Sequence, residues 1–77
     1  MPTILRIAGF RFFFYSNEGN EPPHIHIERA NDVAKFWLEP VELVSSFGFS
    51  AREINQLRKL VLEHHPQLLQ SWHVYFN

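Results

Sequence analysis

The sequence predicts an α+β domain, an antiparallel sheet of four to five strands with two C-terminal helices packed on one face. Three observations carry this. Up to residue 45 the apolar residues alternate in twos, and from residue 50 they recur in threes and fours. Turn-forming pairs break the first half at hairpin spacing. Ser50-Ala51-Arg52-Glu53 has the pattern of a capping box, with Ser at the N-cap and Glu three residues on. At 77 residues the chain is read as one domain, 1–77, with a sheet part (1–45) and a helical part (50–76).

Residues 3–7 (TILRI) and 10–15 (FRFFFY) are β-rich runs separated by Ala8-Gly9, the length of a tight hairpin turn in which Gly9 can take positive φ. A two-residue loop sets Ile7 opposite Phe10, Arg6 opposite Arg11, Leu5 opposite Phe12 and Ile4 opposite Phe13. One face then carries Leu5, Ile7, Phe10, Phe12 and Phe14, and the other Arg6, Arg11, Phe13 and Tyr15. Residues 16–23 (SNEGNEPP) form a turn-rich loop, because Pro22-Pro23 cannot donate to a ladder. Residues 24–29 (HIHIER) and 33–38 (VAKFWL) alternate strictly, with Asn31-Asp32 as the expected turn. That register pairs Glu28 with Lys35, Ile27 with Phe36, His26 with Trp37 and Ile25 with Leu38, and it gathers Ile25, Ile27, Phe36 and Leu38 on one face.

In residues 39–49, Val41 and Leu43 extend a short strand with Glu42 outward, ended by Gly48. The helix after Ser50 presents Ile54, Leu57, Val61 and His64, flanked by Leu60. Pro66 opens a second helix at its first position behind His65, a weak cap. Leu68, Leu69, Trp72, Tyr75 and Phe76 share its apolar side, and so short a helix must dock to be stable.

Composition excludes several classes. Seven Lys+Arg against eight Asp+Glu give a formal charge of −1, too little to hold nucleic acid by bulk charge. An apolar fraction of 45% with 19% charged residues argues against disorder. With no Cys there is no disulfide or thiolate zinc site, and a reducing cytoplasm is the natural setting. Arg6 and Arg11 interrupt the N-terminal apolar run, which lacks the parts of a secretory signal, and no stretch reaches the ~20 apolar residues of a membrane span. A core from a chain below roughly 70–80 residues rarely supplies more than ~3–5 kcal/mol. Either an aromatic-rich core (16% of residues) or a partner surface is therefore expected to add stability.

The face away from the helices collects Arg6, Arg11, Tyr15, His24, His26, Glu28, Lys35 and Trp37. His24 and His26 are two apart on a strand, so both imidazoles point the same way. Three readings stand. The pair could ligate a metal with Glu28 or Glu39 as third ligand. One imidazole could serve as general acid or base in metal-independent cleavage of RNA, where the 2′-OH is the nucleophile and no cofactor is needed. Or both could be polar residues on a wet face or in a partner interface. Arg6 opposite Arg11 is unfavourable unless an anion lies between them, which marks the pair, with Lys35, as candidate phosphate ligands. The alternative is that each arginine reaches into water. Tyr15, Phe13 and Trp37 could stack unpaired bases or pack on a partner. His64-His65 suits the C-terminus of the first helix through the dipole, and His73 is placed on the solvent side.

Several blocks together carry a resemblance: Met1–Glu18 (MPTILRIAGFRFFFYSNE), Glu21–Ile27 (EPPHIHI), Ala34–Leu43 (AKFWLEPVEL), Gly48–Ile54 (GFSAREI) and the closing Leu68–Phe76. The chain closely resembles the small bacterial proteins of domain of unknown function 4160, over essentially its whole length. Members occur beside a second small gene, and some are described as the toxin half of a type II toxin–antitoxin module. The resemblance thus implies a growth-inhibiting cytoplasmic toxin, with RNA as a candidate target and a cognate antitoxin covering its exposed surface. Self-association is the other way to cover that surface, and a non-catalytic protein- or nucleic-acid-binding module is the alternative function. The resemblance carries no catalytic assignment, so His24 and His26 as acid–base residues rest on side-chain chemistry alone.

Overall fold

The computed structural model describes residues 3–76. Five strands, β1 (Thr3–Ile7), β2 (Phe10–Phe13), β3 (His24–Arg29), β4 (Asp32–Leu38) and β5 (Val41–Phe47), pair with their chain neighbours in one antiparallel sheet. Two helices follow, α1 (Ala51–Glu63) and α2 (His65–Tyr75). The expected α+β architecture is therefore the one observed.

The β1–β2 turn is Ala8-Gly9, with φ of 54° and 83°, the pair of positive values a type I′ hairpin turn requires. Ile7, Arg6 and Leu5 meet Phe10, Arg11 and Phe12 as expected. The pairing of Ile4 with Phe13 does not form: a bulge between Thr3 and Leu5 sets Thr3 opposite Phe13. A bulge adds a residue to one strand and re-aims those beyond it.

The β3–β4 register differs from expectation by two residues. The turn is Ala30-Asn31 rather than Asn31-Asp32, and Arg29 pairs with Asp32. Asn and Asp are the better turn formers, but Ala30 accepts φ of 54° here, a conformation that propensity argues against. Because the slip is even, every side chain keeps its face while its neighbour changes. Lys35 stands opposite His26 and Trp37 opposite His24, while Glu28 faces Val33 instead of Lys35.

β5 runs from Val41 to Phe47 along the sheet edge and stops before Gly48 as expected, with a bulge opposite Lys35 and Phe36. The helical boundaries follow the sequence closely. Ser50 Oγ accepts from the Glu53 amide and the Glu53 carboxylate accepts from the Ser50 amide, completing the capping box. The cap of α2 is His64, one residue before the expected His65, and it makes no side-chain cap bond. His65 instead donates Nε2–H to the Leu38 carbonyl at 2.6 Å, tying the helix start to the end of β4.

The core lies between the sheet and the helices. Phe10, Phe12, Phe14, Ile25, Ile27, Phe36 and Leu38 meet Ile54, Leu57, Val61, Leu68 and Trp72. Of the apolar side of α2, Leu68 and Trp72 are buried whereas Tyr75 stays 42% exposed. Phe13 is buried on the opposite face, under the Arg11 guanidinium (4.4 Å) and beside Tyr15 and His26. No helix among the described residues is long and apolar enough to cross a membrane.

Candidate functional site

The site is built by the 16–23 loop folding back over the start of β3. The Glu21 amide donates to the Glu18 carbonyl (3.1 Å), closing a turn, and the Leu38 amide donates to the Pro23 carbonyl (2.9 Å), fixing the entrance to the strand. Gly19 lies against the ring of Phe76: a Cβ there would be 2.6 Å from Phe76 Cδ1. Only a residue without a side chain lets the loop approach Phe76, the C-cap of α2, this closely. The loop thereby carries the Glu18 carboxylate onto the β3 histidines.

His24 and His26 both bring Nε2 to one oxygen, Glu18 Oε1, at 2.8 and 2.7 Å. The three ligand-type atoms lie within 4.8 Å of one another. His24 is fully buried, its ring held between Trp72 (centroids 4.8 Å apart) and Trp37 (5.8 Å). Its Nδ1 donates to the Pro22 carbonyl at 2.9 Å, since a carbonyl can only accept. His26 is partly open. Its ring stacks on Phe13 and meets Tyr15 edge-on at 4.5 Å.

Burial alone would raise the Glu18 carboxyl, but the close approach of the His24 and His26 ring nitrogens outweighs it and holds the group below its ordinary value. The carboxylate is therefore ionised at neutral pH. For His26, burial outweighs the Glu18 carboxylate and lowers the imidazole below its ordinary value, which keeps it neutral.

Around His26 the outer face opens into a groove of about 380 Å³. Tyr15, Lys35, Ser45 and Phe47 line it with His26. Val33 (45% exposed) and Phe47 (72% exposed) make its far end apolar.

The candidate residues are thus only partly brought together. Tyr15, His26 and Lys35 share the groove, while His24 lies beneath the surface behind Glu18. Trp37 packs beside His24, with Lys35 Nζ over its ring at 4.9 Å. Lys35 also donates to Glu21 Oε1 at 2.8 Å. Arg6 does stand opposite Arg11, but Arg11 is tied to Glu28 (3.1 Å) and to Thr3 Oγ1 (2.7 Å). The acid that offsets the arginine pair comes from β3, outside the first hairpin. Glu28 is committed to that ion pair and Glu39 lies exposed in the β4–β5 turn, so neither joins the histidines. His73 is exposed on α2, as expected.

Sequence reasoning missed Glu18, the residue that organises the cluster. It lies six residues before His24, in a loop whose only visible signal was the stiff Glu21-Pro22-Pro23 approach. It also missed the pairing of Arg29 with Glu53, which joins the end of β3 to the first turn of α1.

Residues 9–73 match a family model described as a domain of unknown function, DUF4160. No curated protein and no solved structure matches the chain.

Proposed function

The chain belongs to the family of domain of unknown function 4160, and from that premise we propose that it is the growth-inhibiting component of a bacterial toxin–antitoxin pair, acting on RNA through the outer-face groove. One observation supports this reading above others. His26 sits at the wall of an open groove with its Nε2 held by the Glu18 carboxylate, and Tyr15 and Lys35 stand beside it. An imidazole oriented by a carboxylate is a common element of sites that move protons. The Tyr15 ring offers a stacking surface for an unpaired base, and Lys35 offers a cation for a phosphate. His24, Arg6, Arg11 and Trp37 act around this centre: His24 behind Glu18, Trp37 under Lys35, and the arginines farther along the same face.

A second reading rests on the groove's far end. Exposed Val33 and Phe47 suit a protein partner, which is where an antitoxin would cover the site. In the binding-module alternative the same surface holds that partner without turnover.

Viable counts after induction of the chain alone in a bacterial host test the proposal, beside His26→Ala and Glu18→Gln at matched soluble expression. We expect viability to fall with the wild type and to recover at least tenfold with either variant. Full viability at good wild-type expression would remove the toxin reading. Killing unchanged in both variants would place the active surface elsewhere.

A further inference from the structure

We propose that Glu18, His24 and His26 form a binding site for one divalent transition-metal ion, with zinc as the best-fitting case. The inference goes beyond the growth-inhibiting reading and does not need it.

The argument begins with the proton inventory of His24. Its Nδ1 faces the Pro22 carbonyl at 2.9 Å and must carry a hydrogen. In the neutral ring Nε2 is then a bare lone pair, yet it points at a carboxylate oxygen 2.8 Å away. Two acceptors at that separation need a positive centre between them. A proton would make His24 an imidazolium with no exposed surface, sharing one carboxylate oxygen with His26. A divalent cation meets the same need and uses all three groups.

The donor set agrees with zinc, which takes imidazole nitrogen and carboxylate oxygen at about 2.0–2.2 Å. Tetrahedral ligands at such distances are roughly 3.3 Å apart, so the contacts of 2.7 and 2.8 Å need to open by only about 0.5 Å. A ligating His that gives its other N–H to a backbone carbonyl is the usual outer arrangement, and Pro22 supplies it. The support is stiff: two prolines precede His24, and two indole rings hold its imidazole. Lys35, the cation across from His26, is already bound to Glu21 and so opposes the ion less. Three protein ligands leave a fourth position. The exposed fractions of Glu18 (20%) and His26 (14%) let water or an anionic oxygen reach it.

Calorimetric titration of zinc chloride into the untagged, chelator-treated chain tests the site. We expect one ion per chain, with affinity lowered at least about tenfold in Glu18→Gln and in His26→Ala. Glu28→Gln and His73→Ala should bind as the wild type does. His24→Ala removes a buried ring and can fail by unfolding, so the other two variants carry the test, with folding checked by circular dichroism. No stoichiometric binding by the wild type, or binding unchanged in Glu18→Gln and His26→Ala, would overturn the inference. Zinc binding by a chain that leaves growth untouched would remove the toxin reading and keep the metal site. Growth inhibition by a chain that binds no zinc would do the reverse.

Discussion

At the scale of single residues, Glu18 and Gly19 decide the site together. Glu18 supplies the oxygen that both histidines approach, and Gly19 supplies the closeness to Phe76 that puts it there. Gly19→Ala should force the loop or the Phe76 ring to move. We expect it to cost about 1–3 kcal/mol by overpacking, read from urea denaturation, and to weaken zinc binding as Glu18 shifts. A second residue-scale expectation concerns Glu53. The backbone hydrogen bond from Ser50, then the Arg29 guanidinium, hold its carboxyl below the ordinary value of 4.5. A carboxyl lowered in the folded state adds stability that is complete above pH 4.5 and is lost as the pH falls through the folded value. Thermal melts below pH 4.5 should therefore fall more steeply for the wild type than for Glu53→Gln.

At the scale of elements, local signals located nearly everything. The capping box started α1 at the expected residue, and Ser50→Ala should lower stability by about 1 kcal/mol, measured by denaturant unfolding. The Ala8-Gly9 turn and the two-residue alternation gave the first hairpin its faces. What was not legible was register beyond the turn. Nothing local favoured Ala30 at positive φ over Asn31-Asp32, and nothing local marked Ile4 as the bulged residue. Alternation survives an even slip, so the set of outer-face residues was legible while its neighbours were not. Lys35 beside His26, and Trp37 beside His24, were decided by that slip. The site histidines were visible because they alternate within one strand. Glu18 was not, because a loop residue has no periodicity to betray where it folds.

At the scale of the whole molecule, a small chain without disulfides relies on aromatic packing. Phe10, Phe12, Phe14 and Phe36 are almost wholly buried in a single core that both helices close. Phe36→Ala should cost about 3–5 kcal/mol, comparable with all the stability such a small domain has. We expect no cooperative thermal transition for that variant by circular dichroism. The second, smaller aromatic group on the outer face, Phe13 with Tyr15 and His26, is separate from this core. It floors the groove, and at its exposed member, Tyr15, a substitution should affect binding more than folding.

The sequence by itself determined the α+β class, the strand and helix content, the core face, the cap of α1 and the presence of two histidines on one side of β3. These follow from short-range physics: side-chain alternation, turn geometry and the hydrogen-bonding needs of a helix start. The tertiary structure alone decided what stands next to those histidines. It buried His24 between two indoles, spent Glu28 on Arg11 and brought Glu18 from a loop onto both imidazoles. The reason is physical: a charged side chain takes the partner that folding brings within reach, and for loop residues that partner is set by long-range packing, here the contact of Gly19 with Phe76.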